Sequence, residues 1–287
     1  MYAERPSRAY PACLILLIDQ SASMADTFGG DNLVRKAEFV ANAVNHTIYD
    51  LVVRCTKTEE VRNYYYLSVI GYGGSVGPAF AGQLTGRTLV PIAEVADLPA
   101  RVEMRSRRVA DSAGTLFDTH VRFPVWIEPR ATGNTPMCEA FAQARNIIKE
   151  WLSERPRGFP PTVLNLTDGE STDGDPTQLG REIMSLRTND GPVLLFNCHA
   201  SSRRSFTIEY PDDDARLPDD FARLLFNISS PLPDPFRRVA GHMGLRLSEG
   251  ARGFVFNADP TAIVQFVEIG TSTTPASYQP HMWMDER

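Results

Sequence analysis

Residues 13–18 read CLILLI, an unbroken apolar run with no alternation of polar and apolar sides. A strand with one wet face alternates, so a run of this kind reads as a parallel strand covered by helices on both faces. The run ends in Asp19-Gln20-Ser21-Ala22-Ser23, and a polar, Gly-containing stretch continues to Gly30. Residues 32–54 then set Leu33, Ala37, Val40, Val44, Ile48, Leu51 and Val52 at helical spacing. Strand, loop and amphipathic helix in that order predict an open α/β sheet, and such sheets bind ligands in the loops at the carboxyl ends of their strands. The triplet Asp19, Ser21 and Ser23 sits in such a loop.

The rest of the chain extends the pattern. YYYLSVIGY, residues 64–72, has the aromatic and β-branched content of a second strand. A helix over 137–152, a strand over 162–167, a helix over 176–187, a strand over 193–199, and a last strand and helix over 253–257 and 260–267 alternate as right-handed parallel crossovers do. The expected architecture is α/β: a doubly wound, mostly parallel central sheet flanked by helices, over residues 10–270. Between about 73 and 130 the pattern breaks. Residues 73–99 are Gly-rich and irregular, 94–102 read as a short helix, and 101–111 with 121–129 read as a long hairpin around Asp-Ser-Ala-Gly-Thr, together an inserted β-hairpin region. Residues 210–235 read as a solvated, Asp- and Pro-rich loop leading to a short helix. Residues 271–287 read as a tail, with Trp283 between Met282 and Met284 as a docking element.

Two further residues fall at places like that of the triplet. Thr135 lies in ATGNTPM, after the strand-like run 121–127 and at the start of a helical segment, and Asp168 lies in LNLTDGE, at the end of the run 162–167. Taken singly, each residue has an ordinary structural use: Ser and Thr cap helices, and Asp-Gly makes turns. Together and in this order, Asp19, Ser21, Ser23, Thr135 and Asp168 resemble the metal-ion-dependent adhesion site of von Willebrand factor A domains. The resemblance runs over roughly residues 10–269 and implies a Rossmann-like fold. It implies that Ser21, Ser23 and Thr135 give hydroxyl oxygens to a divalent cation, Mg²⁺ with Mn²⁺ as a substitute. Asp19 and Asp168 would act through water or orient the hydroxyls. Hard cations of this kind take oxygen ligands in near-octahedral array and give up water reluctantly. So few direct charges leave the cation incompletely neutralised, which implies a sixth ligand from an Asp or Glu of a protein partner. Intracellular members of the family imply the partner classes: AAA+ ATPases, or bacterial systems with a protein kinase and a protein phosphatase. The implied role is an interaction module, not an enzyme.

Composition narrows the classes. At 287 residues and 43% hydrophobic content the chain can bury a large core without staples. A net charge of −6, with no basic stripe interleaved with aromatics, speaks against a nucleic-acid surface. Arg101, Arg105, Arg107 and Arg108 read as a solvated face, with a contact for an acidic partner patch as the alternative. The four cysteines show no Cys-x-x-Cys spacing and read as reduced core residues. No run reaches the length of a membrane span and no signal-like segment opens the chain, so the expected location is cytoplasmic.

Other readings stay open at this point. One is a structural subunit whose metal site is vestigial or filled internally, by an acid from the Asp212 to Asp220 loop or by Asp285 or Glu286 of the tail. Another is a serine hydrolase, since Gly73-Gly74-Ser75-Val76-Gly77 matches the Gly-x-Ser-x-Gly elbow, although Pro78 and Gly82 disfavour the helix that must follow Ser75. PDDDARLPDD offers a second acidic cation site. A Walker A motif is absent, and an aspartate-nucleophile phosphatase would need an acid where Ser21 stands. His199 and His242 read as polar residues near strand or helix ends.

Overall fold

The structure, a computed structural model, describes residues 1–29, 32–110, 116–200 and 206–272. Strand β1 (Ala12–Asp19) is buried along its whole length. After it, β2 (Thr27–Gly29) and β3 (Asn32–Arg35) pair as a small antiparallel hairpin and lead into α1 (Lys36–Cys55). The helix expected from residue 32 therefore starts four residues late, because 32–35 pair with 27–29. Next come β4 (Tyr65–Tyr72), β5 (Val76–Pro78), β6 (Val90–Pro91) and α2 (Ile92–Asp97), then the long hairpin of β7 (Arg101–Ala110) and β8 (Leu116–Val125). The second half runs α3 (Met137–Glu154), β9 (Thr162–Thr167), α4 (Thr177–Ser185), β10 (Leu194–Ala200), β11 (Ile208–Glu209), α5 (Asp220–Asn227), α6 (Asp234–His242), β12 (Phe254–Ala258) and α7 (Pro260–Thr271).

Eight strands form the main sheet, in the order β11-β12-β10-β9-β1-β4-β5, with β6 also on β4. Strands β12, β10, β9, β1 and β4 are parallel, and β11, β5 and β6 are antiparallel edges. Among the parallel strands the chain goes from β1 out to β4, then returns past β1 to β9 and continues outward through β10 and β12. The reversal sets a topological switch point between β1 and β9, where doubly wound sheets open a crevice at their carboxyl ends.

Both faces of the sheet are covered, which is why the 13–18 run cannot alternate. Leu14, Leu16 and Ile18 pack in one core with Val40, Val44 and Ile48 of α1 and Ile263, Phe266 and Val267 of α7. Cys13, Ile15 and Leu17 pack in the other with Phe141, Ile148 and Trp151 of α3 and Ile183 of α4. Each fully buried side chain of this size contributes about 1.5–3 kcal/mol. One polar row crosses the second face. Asn165 of β9 accepts from the Tyr72 hydroxyl of β4 at 2.7 Å and donates to Asn197 of β10 at 3.0 Å. Asn197 in turn donates to the Ser229 hydroxyl at 2.9 Å.

The segment 73–99 is more regular than expected, since two of its stretches, β5 and β6, are edge strands of the main sheet. The hairpin partner of β7 begins at Leu116 rather than at 121 and ends at Val125. This hairpin lies on α1, with the rings of His46 and Phe123 4.3 Å apart and the Arg105 guanidinium 3.8 Å over Phe123. Arg105 is thus packed, not solvated, while Arg101 pairs with Glu103 and Glu128. Residues 210–235 hold the whole of α5 and the first two residues of α6. Cys13, Cys55, Cys138 and Cys198 are unpaired. Among the described residues no helix is long and apolar enough to cross a membrane. The Asp-Ser-Ala-Gly-Thr turn at 111–115 and the tail residues Trp283, Asp285 and Glu286 lie outside the described residues.

Candidate metal centre

Strands β1 and β9 pair in register Ile18↔Leu166, so Asp19 and the Thr167–Asp168 pair leave the sheet side by side at the switch point. Asp19 is 1% exposed. Its Oδ1 accepts the Ser21 backbone N–H at 2.8 Å, and its Oδ2 accepts the Thr167 hydroxyl at 2.8 Å and the Asp168 N–H at 3.3 Å. One carboxylate therefore ties the loop after β1 to the loop after β9. Burial, and next the charge of Asp168, push the Asp19 carboxyl up to about 6, against the lowering effect of its bonds from Ser21 and Thr167.

The hydroxyls of Ser21 and Ser23 lie 3.0 Å apart, and that of Ser23 donates to Asp168 Oδ1 at 2.7 Å. The other oxygen of Asp168, Oδ2, accepts from the Lys36 ammonium at 2.5 Å, with both side chains out of solvent. Asp19, Ser21, Ser23 and Asp168 thus form one hydrogen-bonded cluster.

Thr135 reaches its border by another route. The sequence places its loop at a strand end of the same sheet, but β8 belongs to the separate hairpin. The loop is instead stapled by backbone bonds: Thr132 N–H to the Gln20 carbonyl at 2.7 Å, and Ala22 N–H to the Gly133 carbonyl at 3.0 Å. Thr135 N–H donates to the Thr172 hydroxyl at 3.0 Å, and its carbonyl accepts from the Thr172 and Met137 N–H groups. Among the described residues nothing hydrogen-bonds to the Thr135 hydroxyl. That hydroxyl faces the loop after β9, since a Cβ built on Gly169 would lie 3.8 Å from it. Asp173, from the same loop, caps α3 by accepting the Cys138 and Glu139 N–H groups at 3.0 and 2.9 Å, where the N-cap residue Pro136 makes no side-chain bond.

Glycines let these loops touch. A Cβ on Gly73 would sit 2.4 Å from the Gln20 carbonyl oxygen, and one on Gly133, whose φ is +75°, would sit 2.5 Å from Gly74 Cα. The Gly-Gly-Ser-Val-Gly stretch is therefore a loop crossing. Ser75 lies in the turn of the β4–β5 hairpin and is followed by an antiparallel strand. A nucleophile elbow needs a helix there, so Ser75 is not placed as a hydrolase nucleophile.

His199, at the end of β10, stacks on Phe256 with centroids 4.9 Å apart and meets Phe221 edge-on. Burial pulls its pKa down to about 4, against the raising effect of Asp168 and Asp219, so the ring is neutral near pH 7. The acidic stretch after Tyr210 does local work: Asp219 caps α5 through the Ala222 N–H at 2.8 Å, and Asp213 accepts the Ala215 N–H at 3.0 Å. Among the described residues no three His, Cys, Asp or Glu side chains gather to hold a metal, so the second acidic cation site is not formed there. The cluster at the switch point is of a different chemical kind. Its hydroxyl and carboxylate oxygens, without imidazole or thiolate ligands, fit a hard divalent cation such as Mg²⁺ or Mn²⁺.

Lys36, Thr167, Gln20 and Asp173 belong to the site although sequence reasoning did not select them. For Lys36 a signal was present: it precedes Val40, Val44 and Ile48 at four-residue spacing, a charge in an apolar stripe.

No family model and no curated protein matches the chain by sequence. Solved structures do align with it. The vWF domain of the type V pili tip protein Mfa5 from Porphyromonas gingivalis is 12% identical, with 56% of this chain and 39% of that one covered and a TM-score of 0.32. The ArnB paralog VWA2 from Sulfolobus acidocaldarius is 11% identical over 67% of this chain and 35% of that one, with a TM-score of 0.34. Manganese-loaded TRAP protein from Plasmodium vivax is 11% identical over 65% of this chain and 57% of that one, with a TM-score of 0.31. This chain spans less than two thirds of the length of each.

Proposed function

We propose that this chain is a protein-interaction module of the von Willebrand factor A type, which grips an Asp or Glu side chain of a protein partner through a Mg²⁺ ion held by Ser21, Ser23 and Thr135. The observation that carries the reading is the cluster of Asp19, Ser21, Ser23 and Asp168 at the switch point, with the unused Thr135 hydroxyl at its edge. When bound, the cation would supply a positive charge that an external carboxylate completes. The protein's part is orientation. Asp168 accepts the hydrogen bond of the Ser23 hydroxyl, which leaves a lone pair of Ser23 for the ion, and Asp19 fixes the loop from which both serines project. In this reading the chain carries no catalytic residue and works in the cytoplasm within a larger assembly, with AAA+ ATPases or kinase- and phosphatase-containing systems as the partner classes.

Calorimetric titration with Mg²⁺ and Mn²⁺ tests the site. A variant carrying Ser21→Ala with Ser23→Ala is expected to bind either ion at least tenfold more weakly while its circular dichroism is unchanged, and equal affinity would refute the assignment. Capture of partners in Mg²⁺ but not in EDTA, lost in the same variant, tests the role.

A further inference from the structure

Lys36 breaks two rules of the helix it begins. It is the first residue of α1, where the helix dipole disfavours a cation, and no side chain caps that end. It is also 3% exposed, although lysine is almost never buried without a partner. The apolar positions that follow it on the same stripe show no packing need for a charge there. Asp168 is what holds it, Nζ to Oδ2 at 2.5 Å with side-chain exposures of 4% and 0%. The β2–β3 hairpin sets where the helix starts, and the Lys36 N–H donates to the Asp26 carbonyl at 2.8 Å. The ammonium is thus placed one carboxylate away from the Ser21–Ser23 hydroxyl pair, on the oxygen of Asp168 that Ser23 leaves open.

We infer that Lys36 is an internal counter-cation that competes with a divalent ion for Asp168 and so sets the affinity of the Ser21–Ser23–Asp168 cluster for metal. This rests on the metal-site reading above. Asp19 and Asp168 bring two buried carboxylates into one place, and in the metal-free protein the ammonium compensates one of them and keeps the loops assembled. A divalent ion arriving at the serine hydroxyls meets a like charge across a single carboxylate, in surroundings that screen poorly. Its binding weakens the Lys36–Asp168 pair, and the pair weakens its binding by the same factor. The site therefore fills only at metal concentrations higher than its oxygens alone would require, and filling it frees the side chain at the start of α1.

Lys36→Met keeps the apolar stem and removes the charge. Titrated with Mn²⁺, the full-length variant is expected to bind at least tenfold more tightly than wild type, with a lower thermal midpoint in chelator that Mn²⁺ restores. Lys36→Arg, which keeps the charge, is expected to stay within about threefold of wild type. Equal or weaker Mn²⁺ affinity in folded Lys36→Met overturns the inference and leaves the metal site standing, whereas failure of both proteins to bind Mn²⁺ overturns both. A measurement on the wild type covers the case in which Lys36→Met does not fold. Lysine acetylation read by mass spectrometry, with the exposed Lys57 and Lys149 as internal references, is expected to show Lys36 protected in chelator and at least threefold more reactive in saturating Mn²⁺. Equal protection in both conditions rejects the competition.

Discussion

Asp19 and Asp168 stand within the hydrogen-bonded cluster and Thr135 at its border, and the two parts are held there by different forces. The carboxylates stand at the ends of β1 and β9, strands whose parallel register runs unbroken from Leu14↔Thr162 to Ile18↔Leu166. Moving them means breaking the sheet. Thr135 hangs from no strand of that sheet and depends on backbone bonds to Gln20, Ala22 and Thr172, each with a net worth of about 0.5–1.5 kcal/mol. The strand-borne part should therefore open only with the whole fold, and the Thr135 loop at a lower free energy of its own.

The strongest way to break this contrast is Gly133→Val. The new side chain meets the Gly74 backbone at a positive φ, and neither neighbour can yield cheaply. A loss on the order of 3 kcal/mol is expected in urea unfolding. Hydrogen exchange should rise at Thr132 and Ala22 while Leu195 and Phe196 stay protected, and uniform exchange would show that the two parts are one unit.

A smaller effect belongs to the strand-borne part alone. With its carboxyl raised to about 6 against an ordinary ~3.9, folded Asp19 holds a proton between pH 4 and 6 that the unfolded chain has released. The stability that Asp19 contributes to the metal-free protein should fall as pH rises through that window, by on the order of 2 kcal/mol; Glu268, raised to about 7 by burial, acts in the same direction and His199, lowered to about 4, in the opposite one. Thermal unfolding in chelator at pH 4 and pH 7 checks this by difference: the stability gap between wild type and Asp19→Ala should shift by that amount between the two pH values, and the gap between wild type and Thr135→Ala should not change.

Smallest of all, Asp173→Ala removes the cap from α3 and should cost about 1 kcal/mol in urea unfolding. Because it acts on the Thr135 side only, the Asp19 slope should survive unchanged.

The same contrast separates what was legible in the chain from what was not. The unbroken apolar run ending in Asp19 and the largely apolar run ending in Thr167–Asp168 are local facts, and the parallel strands and the strand-end placement of the carboxylates follow from them, whereas the order of the strands does not. Thr135 was legible as a residue but not as a position, because Gln20, Gly73 and Gly133 touch across long stretches of chain and nothing in a short window announces such a crossing. Two local signals pointed the wrong way. Leu33 fits the helical spacing of α1, yet residues 32–35 pair as a strand, and the Gly73–Gly77 stretch imitates a catalytic turn while supplying clearance between loops. Lys36 gave a local signal, a charge in an apolar stripe, but its reason lay far along the chain in Asp168.

The polar row of Tyr72, Asn165 and Asn197 bears on how the chain avoids folding incorrectly. Parallel strands built only of Leu, Ile and Val are interchangeable under a slip of two residues, because each side chain returns to the same face beside a similar neighbour. Asn165 is not interchangeable: its amide meets the Tyr72 hydroxyl and Asn197 in a single alignment, and any other leaves buried polar groups unanswered at about 1–3 kcal/mol each. A β9 misaligned by two residues would carry Asp168 ~7 Å along the strand from Asp19. Side chains that touch no ligand thus decide, while the sheet is still assembling, that the two carboxylates arrive at the same level.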